Sequence, residues 1–305
     1  MDIRFDGKVA IITGAGGGLG RDYALDLASR GAKVLVNDLG VGKSDYAADS
    51  TPAAKVVDEI KAAGGEAIAN YDSVSDPESA KKIVQAAIDA WGRVDILINN
   101  AGVLRDKSFA KAELADIDFV LKVHLGGSIY MTHAVWPYMM EQGYGRVIVT
   151  TSIAGYCGNF GQTGYAAAKM GLSGMMNTLK VEGTRKGVLV NAISPGAVTR
   201  MTAGLNPPSI ELYMTSERVA PVVTFLASEH CTEAGLVIEA MAGGISRMAM
   251  FENEGIQLDP EQPITAEIIG ENWAAITDLG TGLPITHGPE GRIEMRLRGI
   301  GRWSE

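Results

Sequence analysis

Cysteine is nearly missing from this chain: among 305 residues only Cys157 and Cys231 occur. Two are too few for a disulfide framework, and their separation does not suit zinc. No metal site is expected, and a reducing cytoplasm is the expected location. No apolar run reaches the roughly 18 residues that a membrane-crossing helix needs, so membrane insertion is not expected. Residues 1–8 carry charges and run straight into an apolar stretch, so no signal peptide is expected. Internal repeats and low-complexity tracts are missing too. So is any excess of positive charge: 27 Lys and Arg stand against 36 Asp and Glu, a formal net charge of −9. That argues against nucleic acid or an anionic membrane as the partner, and it is ordinary for a protein that stays in solution. What is present in quantity is apolar residues, at 46%, and glycine, at 38. The length suits one large α/β domain or two small ones.

The first informative stretch is 8–38. An apolar strand over 8–13 ends in Thr13 and is followed by Gly14-Ala15-Gly16-Gly17-Gly18-Leu19-Gly20. A helical pattern continues to Gly31, and a second apolar strand is closed by Asp38. Strand, glycine turn, helix, strand and acid make a dinucleotide-binding unit. The glycines let the backbone approach a pyrophosphate, and the helix N-terminus supplies N–H groups and partial positive charge. Asp38 lies eighteen residues after Gly20, where a ribose-binding acid is expected. A carboxylate there accepts from two ribose hydroxyls and repels a 2′-phosphate. No Arg or Lys precedes Arg21 in the turn, so the expected cofactor is NAD rather than NADP.

Strands and helices then alternate. A helix is expected over 51–63, a third strand over 66–70, a helix over 76–91 and a fourth strand over 94–98. Asp72, with Ser73 beside it, is either an acceptor for the adenine amino group or a helix cap or surface acid. Asn99-Asn100-Ala101-Gly102 closes the fourth strand, where two asparagines can bond the backbone and hold a loop beside a cofactor. Residues 112–142 suit one or two long helices, weakened at Gly126-Gly127. A fifth strand ends at Ser152, a helix is expected over 165–186 and a sixth strand over 188–193. Residues 200–215 have the Pro and Gly punctuation of a flexible lid, with Met201, Leu205, Ile210, Leu212, Tyr213 and Met214 as its apolar content. A helix over 217–228 and a last strand over 236–241 follow. The alternation predicts a Rossmann-like, doubly wound parallel sheet of about seven strands with helices on both faces. After Gly243 the pattern stops. The division expected is therefore a domain over 1–244 and a C-terminal extension over 245–305, with one helix at 265–279. Sixty residues rarely make their own core, so the extension is expected to pack on the domain or on a neighbouring subunit.

The chemistry concentrates in 152–169. Tyr165 follows Ser152 by thirteen residues and precedes Lys169 by four. On a helix, i and i+4 share a face, roughly 6 Å apart. A cation there should favour the phenolate and lower the phenol from its usual pKa of about 10, giving an acid/base that works near neutral pH.

These motifs, in this order, resemble the short-chain dehydrogenase/reductase family over about residues 5–245. The cofactor pattern is Thr13-Gly14-x-x-x-Gly18-x-Gly20, with Asn99-Asn100-Ala101-Gly102, Ser152, Tyr165-x-x-x-Lys169 and Pro195-Gly196 after it. The resemblance implies NAD held by Thr13, Gly14, Gly16, Gly18, Leu19, Gly20, Asp38, Asp72, Ser73, Asn100, Ala101, Gly102, Tyr165, Lys169, Pro195 and Gly196. It implies catalysis by Ser152, Tyr165 and Lys169. Many members place an Asn where this chain has His124, and there the main-chain carbonyl holds a water in a proton relay. His124 is therefore either a relay residue or a satisfied core histidine. A closer likeness lies in Leu104-Arg105-Asp106-Lys107-Ser108-Phe109, Gly158-Asn159-Phe160-Gly161-Gln162 and Arg200-Met201-Thr202. These are similar to the branch formed by the dehydrogenase part of peroxisomal multifunctional enzyme type 2 and its bacterial stand-alone relatives. That branch oxidises (3R)-hydroxyacyl-CoA with NAD in fatty acid or steroid side-chain breakdown, and some members act on 17β-hydroxysteroids. The small-molecule partner implied is an acyl-CoA thioester or a steroid. Arg105 and Lys107 either meet CoA phosphates or are solvated loop charges. Cys157 is expected as a small packing residue. Family members commonly pair through helices matching 112–142 and 165–186, so a homodimer or homotetramer is expected. A scaffold that has kept the fold and lost catalysis is the competing class, and the intact Ser152, Tyr165 and Lys169 argue against it.

Overall fold

The computed structural model describes residues 1–40, 51–199, 207–259, 261–280 and 282–285. Its centre is a sheet of eight strands. They are β1 (Val9–Thr13), β2 (Lys33–Asn37), β3 (Glu66–Asn70), β4 (Ile96–Asn99), β5 (Gly145–Thr150), β6 (Val188–Gly196), β7 (Val237–Met241) and β8 (Gly244–Met248). The spatial order is β3-β2-β1-β4-β5-β6-β7-β8. Every pairing from β3 to β7 is parallel. Strands covered on both faces must be apolar at successive positions, and all of VAIIT in β1 is buried.

Alternate residues serve the two faces. Ala10, Ile12, Val34, Val36, Ile96 and Ile98 join Tyr23, Leu27, Val56, Ile60 and Val223 in one core. Ile11, Leu35 and Leu97 are equally buried outside that cluster. The first face carries α1 (Gly18–Ser29), α2 (Thr51–Ala62) and α9 (Ala220–Ala227), with α1 packed on both others. Against the second pack α3 (Pro77–Trp91), α5 (Gly127–Gln142) and α7 (Thr163–Gly183), with α4 (Leu114–Leu121) and the short α6 (Ile153–Cys157) against α7. The start of α3 is set by Asp76, which accepts from the Ser79 N–H at 2.8 Å. That cap contributes about 1 kcal/mol.

The weak point at Gly126-Gly127 becomes a π turn over Lys122–Gly126 between α4 and α5. A Cβ on Gly127 would stand 2.9 Å from a Val74 methyl, so close packing selects glycine there. Of the lid stretch, 200–206 lie outside the described residues, and the remainder begins with the short α8 (Pro208–Glu211).

The sheet has one strand more than the sequence pattern suggests. Ala242 (φ 51) and Gly243 (φ 84) form a two-residue turn with both residues at positive φ. That is the tight hairpin connection, and it returns the chain as β8 beside β7. By contacts the chain divides into Met1–Arg247 and Met248–Glu305, so β8 carries the first unit past the boundary expected after residue 244.

In the second unit, β9 (Phe251–Glu252) pairs antiparallel with β10 (Leu283–Pro284). The single helix expected at 265–279 is two, α10 (Ala266–Glu271) and α11 (Trp273–Thr277). Asn272, at φ −102 and ψ 6, leaves the helical region between them. Asn253 caps the end of α11 by donating to the carbonyls of Ala275, Ile276 and Asp278.

Candidate active site

In an open parallel sheet, ligands bind at the carboxyl ends of the strands where the strand order reverses. Here that point lies between β1 and β4, and the residues singled out in the sequence follow the strand ends around it. Thr13 ends β1, Asp38 follows β2, Asp72 and Ser73 follow β3, and Asn100 follows β4. Ser152 follows β5, and Pro195 and Gly196 end β6.

The turn after β1 is held by the loop after β4. Thr13 Oγ1 accepts from the N–H groups of Asn100 (3.0 Å) and Ala101 (3.1 Å). Asn100 Nδ2 donates to the carbonyls of Thr13 and Gly14, both at 3.0 Å. Asn100 thus holds backbone, whereas Asn99 Nδ2 donates to a side chain, Thr132 Oγ1, at 3.0 Å. Gly20 is forced by closeness, since a Cβ there would stand 2.4 Å from the Gly14 carbonyl oxygen. Gly18 sits at φ 53, where a side chain is strained. The start of α1 has no side-chain cap and its first turn carries no acidic residue, which suits its N–H groups to an anion. Asp38 Oδ2 accepts from the Gly16 N–H at 2.8 Å and Oδ1 from the Gly40 N–H at 2.7 Å. These donors, the bare helix start and the acid fit a dinucleotide. Asp72 is not a helix cap, a role that Asp76 fills. Instead it accepts from Asn70 Nδ2 at 2.9 Å. Ser73 is hydrogen-bonded to Ser75, Oγ to Oγ at 2.8 Å.

Beyond the switch point stands the proton chemistry. Ser152 caps α6, its Oγ accepting from the Ala154 N–H at 3.2 Å, and its hydroxyl lowers the pKa of the Tyr165 phenol. Lys169 lies one turn further along α7, its Nζ 5.4 Å from the centre of the Tyr165 ring. The ammonium is buried and donates to the Thr150 carbonyl, while the Lys169 carbonyl accepts from Thr151 Oγ1 at 2.8 Å. Burial pulls Lys169 down to about 7.

The Tyr165 phenol corrects the expectation drawn from spacing. Its pKa is raised, not lowered: burial is the largest cause, the Ser152 hydrogen bond opposes it, and the Asp106 charge adds to it. An i, i+4 lysine does not offset the loss of water around the phenol. A buried phenol with a raised pKa is still equipped to exchange a proton, at a pH above the one anticipated.

His124 is buried in the π turn. Its Nε2 lies 2.8 Å from the Val103 carbonyl oxygen and 3.0 Å from the Val103 nitrogen, while Nδ1 has no partner. Burial first, then the Lys169 charge, lowers its pKa to about 3, so the ring is neutral near pH 7. A Cβ on Gly102 would stand 2.3 Å from His124 Cε1, which explains that glycine. The His124 carbonyl accepts from Ser128 Oγ at 2.7 Å, which leaves its second lone pair for another donor.

Two residues depart from their expected places. Cys157 is exposed, not a packing residue, because α6 turns it outward at its last position. Arg105 and Lys107 both face Asp116, at 3.7 and 3.3 Å, and are not simply solvated. Pro195 and Gly196 are in register with Ala240 and Met241 of β7. Asp106 lies in the stretch 104–109 quoted for the closer likeness, but the sequence gives it no role of its own, because its relation to Tyr165 arises only in the fold.

With this geometry in place, comparison with known proteins decides the class. The pattern of the short chain dehydrogenases matches residues 8–209. The chain belongs to that family. It is an oxidoreductase of the short-chain dehydrogenase/reductase type, acting on CH–OH. It is 48% identical to the peroxisomal multifunctional enzyme type 2 of Drosophila melanogaster over 91% of this chain and 46% of that one. The solved structure of that full-length enzyme superposes with a TM-score of 0.81 at 40% identity, over 98% of this chain and 50% of that one. The chain therefore spans about half the length of that relative. A short-chain type dehydrogenase/reductase of Mycobacterium tuberculosis is 47% identical over 89% of this chain and 94% of its own length. A 7α-hydroxysteroid dehydrogenase, solved with NADH and 7-oxo-glycochenodeoxycholic acid, superposes at 0.72 with 30% identity, over 80% of this chain and 96% of that one.

Proposed function

We propose that the protein oxidises a secondary alcohol with NAD, and that the alcohol is a (3R)-hydroxyacyl-CoA, leaving as the 3-oxoacyl-CoA. The observation that carries this reading is the grouping of Ser152, Tyr165 and Lys169 at the sheet edge that also holds the glycine turn and Asp38. Asp38 favours NAD over NADP, because a 2′-phosphate there would meet its carboxylate. Arg21, the basic residue nearest the turn in sequence, is engaged by Asp22 and Glu59. Thr13, Gly14, Gly16, Gly18, Leu19 and Gly20 would hold the pyrophosphate, Asp38 and Lys169 the riboses, Asp72 and Ser73 the adenine. Asn100, Ala101, Gly102, Pro195 and Gly196 would line the nicotinamide end.

NAD, when bound, supplies the acceptor for the hydride of the carbinol carbon. The Tyr165 phenolate takes the hydroxyl proton. Ser152 hydrogen-bonds the same oxygen and fixes its place. Because burial raises the Tyr165 pKa, the phenolate fraction and the oxidation rate climb with pH.

The acyl-CoA part is supported by the likeness to multifunctional enzymes, including a hydratase-dehydrogenase-epimerase of Saccharomyces cerevisiae at 46% identity. Arg105 and Lys107 bring two positive charges to the loop after β4, beside the carboxylates of Asp106 and Asp116, and are the cations there suited to CoA phosphates. A 17β-hydroxysteroid is the second reading. It is favoured by the likeness to a hydroxysteroid dehydrogenase and by exposed Ile210, Leu212 and Tyr213 after the turn at 207. A panel of (3R)-hydroxyacyl-CoA, its (3S) partner and a 17β-hydroxysteroid with NAD and NADP tests the choice. The (3R) thioester with NAD should have the highest kcat/KM, and preference for the (3S) thioester would overturn the assignment.

We also propose a homodimer or homotetramer through the 112–142 region and α7, where Val181 is 71% exposed. The cytoplasmic location rests on the two free cysteines, although the relatives named above include peroxisomal proteins.

A further inference from the structure

Two of the stretches similar to the hydroxyacyl-CoA branch, 104–109 and 158–162, supply no group to the proton and hydride transfer as proposed. The structure joins them. Gln162 Nε2 donates to Asp106 Oδ2 at 2.7 Å, and the Lys107 N–H donates to the Gly161 carbonyl at 3.0 Å. Asn159 Nδ2 donates to Gln162 Oε1 at 3.1 Å, so both ends of the Gln162 amide are engaged. On its far side the 104–109 loop is tied to α4 through Asp116, which faces Arg105 and Lys107. Gln162 is the residue before α7, and its carbonyl accepts from the Ala166 N–H at 2.7 Å. Tyr165 is the third residue of that helix. Asp106, Gln162 and Tyr165 line one cavity.

We infer that Asp106 and Gln162 form a clamp that fixes the start of α7, which makes Asp106 a positioning residue for the Tyr165 hydroxyl. One exposed hydrogen bond contributes little alone. Here it acts with a main-chain bond and a two-cation anchor, and together they set the register between two loops. The inference rests on the proposed oxidation at Tyr165.

Asp106 also acts through charge. Four side chains bear on the Tyr165 phenol: Ser152 at the start of α6, Lys169 on α7, His124 in the π turn and Asp106 in the loop after β4. The other charged groups that line this cavity with Asp106 are Arg105, Lys107 and Asp116. Position and charge separate by substitution. Asp106→Asn keeps an acceptor oxygen for Gln162 and removes the charge. Asp106→Ala removes both. Gln162→Leu removes the clamp and keeps the charge.

The test is the pH–rate profile of alcohol oxidation for wild type and the three variants, with saturating NAD, on the panel member that wild type turns over best. For Asp106→Asn, the plateau kcat should stay within about twofold of wild type. Its acid limb should move to lower pH, because an anion that opposed phenolate formation is gone. Asp106→Ala and Gln162→Leu should each lose about tenfold in plateau kcat with the KM for NAD unchanged, and Gln162→Leu should keep the wild-type limb. Wild-type plateaus in Asp106→Ala and Gln162→Leu would overturn the clamp, and an unmoved limb in Asp106→Asn would overturn its charge role. Hydrogen exchange of the amides at 163–166 reads the clamp without turnover. It should run about tenfold faster in Asp106→Ala and Gln162→Leu and unchanged in Asp106→Asn. Unchanged exchange in all three overturns the clamp. An inactive wild type with faster exchange in the two clamp variants leaves the clamp standing and sinks only the proposed reaction.

Discussion

The His124 ring meets the Tyr165 ring edge-on, with centroids 5.2 Å apart and planes at 90°. A cation in that place would draw the phenol toward its ionised form. The ring is neutral instead, its pKa lowered to about 3 by burial and by the Lys169 charge. In the proposed reaction the proton chemistry is assigned to Ser152 and Tyr165, and the neutral His124 ring forms a wall beside the phenol.

That wall has a signature in stability. Between pH 6.5 and about 3 the unfolded chain protonates His124 and the folded chain does not. Its contribution to stability is whole above that window and is lost as pH falls through it, by about 1.4 kcal/mol per pH unit. His124→Asn, followed by urea unfolding at pH 7, 6 and 5, should give a pH profile flatter than wild type by about that slope. Parallel profiles would contradict a buried neutral imidazole.

Thr13 ties two strand ends through one hydroxyl, which accepts from two main-chain N–H groups. Thr13→Val keeps the shape and leaves both donors without that partner. The cost should be about 2 kcal/mol in urea unfolding, with NAD affinity lowered as the turn loosens. An unchanged urea midpoint would mean that Asn100 Nδ2 alone holds the turn.

In the reading proposed above, Asp38 sets the cofactor choice. In wild type, kcat/KM with NAD should exceed that with NADP by about a hundredfold. Asp38→Ala removes the repulsion of a 2′-phosphate and the acceptor for the Gly16 N–H together. The NAD value should fall about tenfold and the NADP value should rise, so that the preference narrows. A preference that survives the substitution would place the discrimination elsewhere.

The strands up to β7 and the glycine turn could be read from sequence because buried parallel strands and dinucleotide turns permit few residue types. β8 escaped because its residues are largely exposed, so no apolar pattern marks it, and because its turn puts Ala242, an unusual residue, at positive φ. The break at Asn272 escaped because asparagine is a mild helix breaker that often stays helical. Motif spacing located Ser152, Tyr165 and Lys169, but the direction of the Tyr165 shift was beyond it. Spacing counts the nearby cation and cannot count the water that the fold removes. Asp106 and Gln162 meet across 56 positions, a contact that no local pattern contains.

The most direct measurement is NADH formation from a (3R)-hydroxyacyl-CoA by wild type and by Tyr165→Phe, with NAD affinity measured on both. Wild type should form NADH at a rate that rises with pH. Tyr165→Phe should lose about a thousandfold in kcat and bind NAD within twofold of wild type. Turnover retained in Tyr165→Phe would contradict the assignment of proton transfer to this phenol.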